Sequence, residues 1–216
     1  MLFDHDCRRC KRLSGFLDAV KDEYPEYHAR PVAPFGCEQP RLLIVGLAPG
    51  MHGANASGRP FTGDHAGILL YETLHRYGFS NQPTSTHRND GLKLLDCRIT
   101  NAVKCLPPQN KPLPSEIKNC NGFLAKEIAT LHPGTVILAL GRVAHESVLK
   151  AKALALSAYP FAHGAEHLLD NELCLIDSYH CSRYNTQTRR LTTQMFDDVF
   201  AAIRRRIDTG AHTAAA

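Results

Sequence analysis

The sequence predicts an α/β fold built around a mostly parallel central sheet. Three observations carry that expectation. Short apolar runs recur along the chain, among them Leu42-Leu43-Ile44-Val45 and Val136-Ile137-Leu138-Ala139-Leu140. Continuous runs of this kind read as strands covered on both faces. Amphipathic helical patterns fall between them, the alternation that builds βαβ units. With 216 residues, 44% of them hydrophobic, the chain has enough material for one sizeable core without disulfides.

Taken in order, Cys7-Arg8-Arg9-Cys10 opens the chain and a helix is expected from about Lys11 to Lys21. Pro25, Pro31 and Pro34 make an extended connector to the strand at Leu42. A helix follows from about Ala66 to Tyr77, and residues 80–91 are polar and turn-rich, a surface loop or insertion. Arg98 to Val103 reads as the second strand. It runs into Lys104-Cys105-Leu106-Pro107-Pro108, whose prolines exclude regular structure, and a helix begins at Ser115-Glu116. Thr135 to Gly141 is the third strand, followed by a helix over Val143–Lys152. Leu173 to Ile176 is the fourth. A last helix carries Leu191, Met195, Val199, Ile203 and Ile207 on one face. One domain is expected over residues 1–207, with 208–216 a flexible tail of small and polar residues.

Each polar segment of interest lies at the carboxyl end of an expected strand, where open α/β sheets bind ligands. After Val45 comes Gly46-Leu47-Ala48-Pro49-Gly50, continuing to Gly58-Arg59-Pro60-Phe61-Thr62-Gly63-Asp64. Five glycines and two prolines let this loop turn sharply and approach a ligand. The spacing matches neither G-x-G-x-x-G nor G-x-x-x-x-G-K-[ST], so neither fingerprint of nucleotide binding is supported. Phe61 stands among polar neighbours. Asp64 precedes a helix and is equally suited to be its N-cap.

Net charge is +4 with His neutral, which permits an anionic partner without requiring one. The N-terminus has neither the basic nor the apolar region of a signal peptide, and no run is long enough to span a membrane. A cytoplasmic location is expected. There, eight cysteines read as metal ligands or core residues rather than disulfides. Cys7 and Cys10 form a C-x-x-C pair, with Cys105 and Cys120 as the other candidates in polar or Pro-rich surroundings. A four-thiolate site suits zinc or an iron–sulfur cluster. Cys37, Cys97, Cys174 and Cys181 read as core.

With these segments placed, the sequence resembles the family 5 (type B) uracil-DNA glycosylases over roughly Cys7 to Ile203. The resemblance rests on the Gly46–Asp64 loop, on Ile99-Thr100-Asn101-Ala102-Val103-Lys104-Cys105, and on His180-Cys181-Ser182-Arg183-Tyr184-Asn185-Thr186-Gln187-Thr188. It implies a three-layer α/β/α fold, excision of uracil, and of other deaminated bases such as hypoxanthine, from DNA, and a [4Fe–4S] cluster on Cys7, Cys10, Cys105 and Cys120; a monomer is expected. The implied base pocket comprises Gly46, Ala48, Pro49, Gly50, Phe61, Asn101 and His180. Phe61 would stack on the flipped base, Asn101 would read its Watson–Crick edge and His180 would face the carbonyl nearest the sugar. Asp64 would be the carboxylate replacing the acid missing where Ala48 and Pro49 stand. The expected phosphate contacts are Arg183, Asn185, Gln187 and Arg190, with Arg59 in support and Lys104 and Lys111 also candidates. The chain departs from the family pattern at Arg189, where a glycine is expected, and at Ala56-Ser57, where a basic residue is common.

The residue types suit this chemistry. A base inside a duplex must be flipped out, stacked and hydrogen-bonded. Asn can both donate and accept. Breaking the glycosidic bond builds positive charge on the sugar, which a carboxylate stabilises, and negative charge on the base, which a donor stabilises. Two rivals use the same residues: a non-catalytic sensor of DNA lesions, and a small-molecule hydrolase with Asp64 and His180 at a zinc site.

Overall fold

The computed structural model describes residues 3–213, with side chains through Thr209. Among the described residues six strands form one sheet, in the order β1 (Phe35–Gly36), β3 (Cys97–Asn101), β2 (Leu42–Gly46), β4 (Val136–Leu140), β6 (Cys174–Ser178), β5 (Glu166–Leu168). The four inner strands, β2, β3, β4 and β6, are all mutually parallel. These are the four expected strands. Two short antiparallel edges complete the sheet: β1 on β3 and β5 on β6.

Side chains of β2 alternate between two cores, as strand geometry requires. Leu42 and Ile44 face the layer of α3 (His65–Arg76) and α7 (Thr193–Thr213), where Leu70, Leu74, Phe196 and Phe200 are buried. Leu43 and Val45 face α4 (Pro114–Ile128) and α5 (Arg142–Ala151), through Leu124, Val148 and Leu149. The fold is therefore the expected α/β/α sandwich. His145 fastens α5 to the sheet, its Nδ1 lying 2.8 Å from Asp177 Oδ1 on β6.

A third cluster joins the N-terminal arm to this body. α1 (Lys11–Glu23) packs Leu13, Leu17 and Val20 against Cys105, Leu106, Cys120 and Phe123. Arg12 adds a two-pronged bond to Glu116, at 2.8 and 2.7 Å.

The stretch from Asp208, expected to be a tail, is helical through Thr213, where α7 ends, and residues 214–216 lie outside those described. Its core face is as expected, with Leu191 just before the helix and Val199, Ile203 and Ile207 within it all buried. No helix among the described residues is long and apolar enough to cross a membrane.

Candidate active site

From β2 the chain crosses to β3 on one side, and from β4 to β6 on the other. Adjacent strands whose connections diverge leave a crevice at their carboxyl ends. A cavity of about 600 Å³ lies there. Leu47 and Ala48 line it after β2, Asn101 at the end of β3, Leu140 at the end of β4 with Gly141 to Val143 beyond it, and His180 after β6. Phe61 and Asp64 close one wall, and Ser182, Arg183 and Tyr184 line it from the segment opening α6 (Arg183–Gln187).

Gly46 explains how three of the expected residues meet. It pairs with Asn101 in the parallel register of β2 and β3. A Cβ on it would lie 2.4 Å from Asn101 Oδ1 and 2.8 Å from Phe61 Cζ. Only a bare backbone permits that approach. Asn101 is 3% exposed, and its Oδ1 is buried without a hydrogen-bond partner. Phe61 has a left-handed backbone, φ 55°, and its ring lies 5.9 Å from that of His180 with the planes 26° apart.

His180 has its pKa pushed down to about 4 by burial, so the imidazole is neutral at neutral pH. Two bonds shape its loop. Asn185 Nδ2 donates to the His180 carbonyl at 2.8 Å, and Ser182 caps α6 by accepting from Asn185 N–H at 3.4 Å.

Asp64 occupies the N-cap position of α3, yet its side chain makes no capping bond there. The carboxylate turns back across the loop and accepts from Ala54 N–H at 3.1 Å, the start of α2 (Ala54–Ser57). Gly50 and Gly53 leave room for it: added Cβ atoms would lie 2.7 and 1.9 Å from Asp64 Oδ1. Burial raises the Asp64 pKa, and the Ala54 N–H opposes that. Of the two readings the sequence allows, the capping one lacks its hydrogen bond.

Other expected residues lie elsewhere. Arg59 is corrected: it is 4% exposed, and Asp90 takes its Nη1 at 2.9 Å and Nη2 at 2.6 Å. A guanidinium so enclosed has no donor left for a phosphate. Lys104 is likewise buried, bonded to Thr100 Oγ1 and 3.5 Å from Glu127. Pro49 is buried beneath the loop and is not among the cavity-lining residues, and Gly50 lines the wall. Arg183, Gln187 and Arg190 are exposed, with the Arg190 guanidinium 4.7 Å over the Tyr179 ring. Asn185 is only partly exposed and is engaged with the His180 loop.

The sequence reading missed Arg142, Asn110, His65 and Tyr184, all on the cavity wall. Arg142 follows β4 directly, so the strand-end rule would have found it. His65 Nδ1 is buried without a partner, and Tyr184 is 70% exposed.

Away from the cavity, Cys7, Cys10, Cys105 and Cys120 line one small hollow. Lys104 N–H donates to Cys120 Sγ at 3.3 Å, and Asn119 Nδ2 to Cys10 Sγ at 3.5 Å. Burial pushes the Cys105 thiol up to about 12. Cys97, Cys174 and Cys181 are buried and Cys37 is partly so, as expected of core residues.

The fold and crevice are those of a base-excising class of proteins: a family model described as the uracil DNA glycosylase superfamily matches residues 33–204. Among curated proteins, the chain is 44% identical over 204 residues to a type-5 uracil-DNA glycosylase of Thermus thermophilus, covering 92% of this chain and 93% of the relative. It is 39% identical over 198 residues to one of Pyrobaculum aerophilum, covering 90% and 86%. A type-4 uracil-DNA glycosylase of Archaeoglobus fulgidus is 33% identical over 143 residues, 66% of this chain and 58% of the relative. The chain belongs to the type-5 uracil-DNA glycosylase family.

Proposed function

We propose that this protein hydrolyses the N-glycosidic bond of uracil flipped out of DNA, using Asn101 to read the base, Phe61 to stack on it, His180 to receive its developing charge and Asp64 to stabilise the sugar. The observation that carries this reading is the unpartnered Oδ1 of Asn101, buried in the crevice beside Phe61. A buried acceptor left without a partner is disfavoured unless a ligand supplies the donor. The imide N–H of uracil is such a donor, and the Asn101 amide can return a bond to a base carbonyl.

His180, neutral because burial lowers its pKa, offers an N–H to the carbonyl oxygen where negative charge accumulates, without bringing a full positive charge to the site. Asp64, freed from capping, faces the same cavity. As the sugar becomes cationic, an ionised carboxylate gains attraction that it lacks in the ground state, the condition for lowering a barrier. It also accepts a proton from the attacking water. This placement favours an enzyme over a sensor.

The same crevice is proposed to take other deaminated bases such as hypoxanthine. Arg183 on the cavity wall and the exposed Gln187 and Arg190, further along the segment after β6, are the proposed phosphate contacts. A cytoplasmic location and a monomeric state belong to the same proposal; the eight cysteines stand without a disulfide, as a reducing compartment would keep them.

The four-cysteine hollow fits an iron–sulfur cluster by its donor set and by the N–H groups aimed at two of its sulfurs. Cys7, Cys10, Cys105 and Cys120 would hold a [4Fe–4S] cluster whose contribution is to tie the N-terminal arm to the loop after β3. Protein purified after growth with adequate iron is expected to be brown and to contain iron and labile sulfide; one zinc and no iron would overturn the assignment. The function itself is tested by incubating a uracil-containing duplex with the protein and cleaving abasic sites with alkali. Tight binding without cleavage would leave only the lesion sensor.

A further inference from the structure

We infer that Asp90, acting through Arg59, is a positioning residue for Phe61, and that the polar insertion of residues 80–91 serves to hold that ring in place. This rests on the stacking role proposed above for Phe61.

Phe61 has no polar side-chain atom of its own, and its left-handed backbone is an unfavourable one for a bulky residue. Its conformation is imposed by its neighbours on both sides. Before it, Pro60 offers its carbonyl to Tyr71 Oη at 2.7 Å. Behind it, Gly67 gives the Phe61 carbonyl space that a Cβ, 1.9 Å away, would take. After it, Thr62 Oγ1 accepts from Arg59 Nε at 2.8 Å and lies 2.6 Å from Ser85 Oγ. Gly63 N–H reaches the Ser85 carbonyl at 3.3 Å.

Arg59 is the hub. Besides Thr62 and Asp90, it donates to Ser85 Oγ at 2.7 Å and to the Arg88 carbonyl at 3.2 Å. Five bonds account for all five N–H groups of a guanidinium. The insertion in turn wraps the carboxylate that orients the hub: Asp90 accepts from the backbone N–H groups of Thr86, His87 and Leu92 at 2.8, 3.3 and 3.1 Å. Burial alone would raise the Asp90 pKa, but Arg59 and these N–H groups outweigh it and hold it below the ordinary carboxylate range.

A buried ion pair is a poor device for stability alone, since a well-packed apolar pair does as well. What it supplies is a fixed direction, because a bidentate fork tolerates little rotation. Placed two residues from a strained aromatic residue, that direction becomes the orientation of the ring.

The test is a double-mutant cycle in single-turnover excision of uracil from duplex DNA, with Phe61→Ala, Asp90→Asn and the combination. Asp90→Asn is expected to slow the parent roughly tenfold and the Phe61→Ala protein by no more than about twofold, because the group being positioned is already gone. Ser85→Ala, which removes one bond to Arg59 and one to Thr62, is the milder partner and carries the cycle if Asp90→Asn does not fold; about threefold is expected, with the same coupling. Equal losses in both backgrounds overturn the inference and leave the stacking role standing. A parental rate from Phe61→Ala alone removes the stacking role, and the inference with it. The chain has no Trp, so Phe61→Trp provides a single tryptophan that can be excited selectively over the seven tyrosines. Its anisotropy is expected to fall when Ser85→Ala is added, and an unchanged value counts against positioning.

Discussion

Arg59 and Asn101 are both buried polar side chains close to Phe61, and they are opposites. Every N–H of Arg59 has a protein acceptor. Asn101 Oδ1 has none. A saturated polar group is part of the scaffold, because the protein itself has met the cost of its desolvation. An unsaturated one on a cavity wall is a group whose partner arrives from outside. Position relative to the cavity is the necessary second condition. Asn55 is also buried and unpartnered but is not among the lining residues, whereas Asn101 and His65 are.

The contrast is broken most severely at Arg59. Arg59→Ala leaves the Asp90 carboxylate buried and unpaired, and is expected to lose about 3–5 kcal/mol of stability in a denaturant titration. Asn101→Ala should do the reverse. Stability holds or rises slightly because an unpaired acceptor is removed. Single-turnover excision of uracil loses on the order of 2–4 kcal/mol of transition-state stabilisation, the size of a single-donor deletion. If Asn101→Ala instead unfolds the protein at parental activity per folded molecule, the two residues are alike and the distinction fails.

Asp64 sharpens the contrast, since one hydrogen bond leaves it between the two. Asp64→Asn is expected to slow excision at least ~100-fold with DNA binding retained. The folded-state pKa of Asp64 is raised, so folding favours the protonated form. The stability this contributes is complete below the unfolded pKa and is lost as pH rises through the folded one. At neutral pH the ionised carboxylate is therefore a liability, and Asp64→Asn should melt above the parent there and level with it in acid. The same shift sets the acid limb of the parental rate profile above the ordinary carboxylate pKa, since His180 is already neutral above about 4. A parental rate from Asp64→Asn would leave leaving-group stabilisation by His180 as the main device.

The smallest effect lies outside both classes. Arg189, where the family pattern suggests glycine, has φ 57°. Arg189→Gly should raise stability by about 1 kcal/mol, the penalty an L side chain carries in that region, read by the denaturation midpoint.

These residues also mark what the sequence makes legible. The four inner strands announce themselves as apolar runs because both of their faces are covered. β1 and β5 do not, since two residues beside Pro34 and three in a polar stretch carry no period of their own and are held only by their neighbours' registers. Phe61, Asp64, Asn101 and His180 converge as expected, because strand ends and the family motifs both point to one sheet edge. The fate of Arg59 was not legible: its partner lies 31 residues away in a loop whose polar composition reads as solvent-facing. Such pairing is non-local, and a charge looks the same in sequence whether it meets water or a buried carboxylate.

The packing of α1 has a consequence in time. Leu13, Leu17 and Val20 rest on Cys105, Leu106, Cys120 and Phe123, residues made much later. A ribosome adding about 5–20 residues per second takes roughly 5–20 s to reach them. Until then the helix lacks these partners for its apolar face. A helix made early thus finds these packing partners late. Its alternation of Leu and Val with Lys, Asp and Glu is what must keep it in solution while it waits.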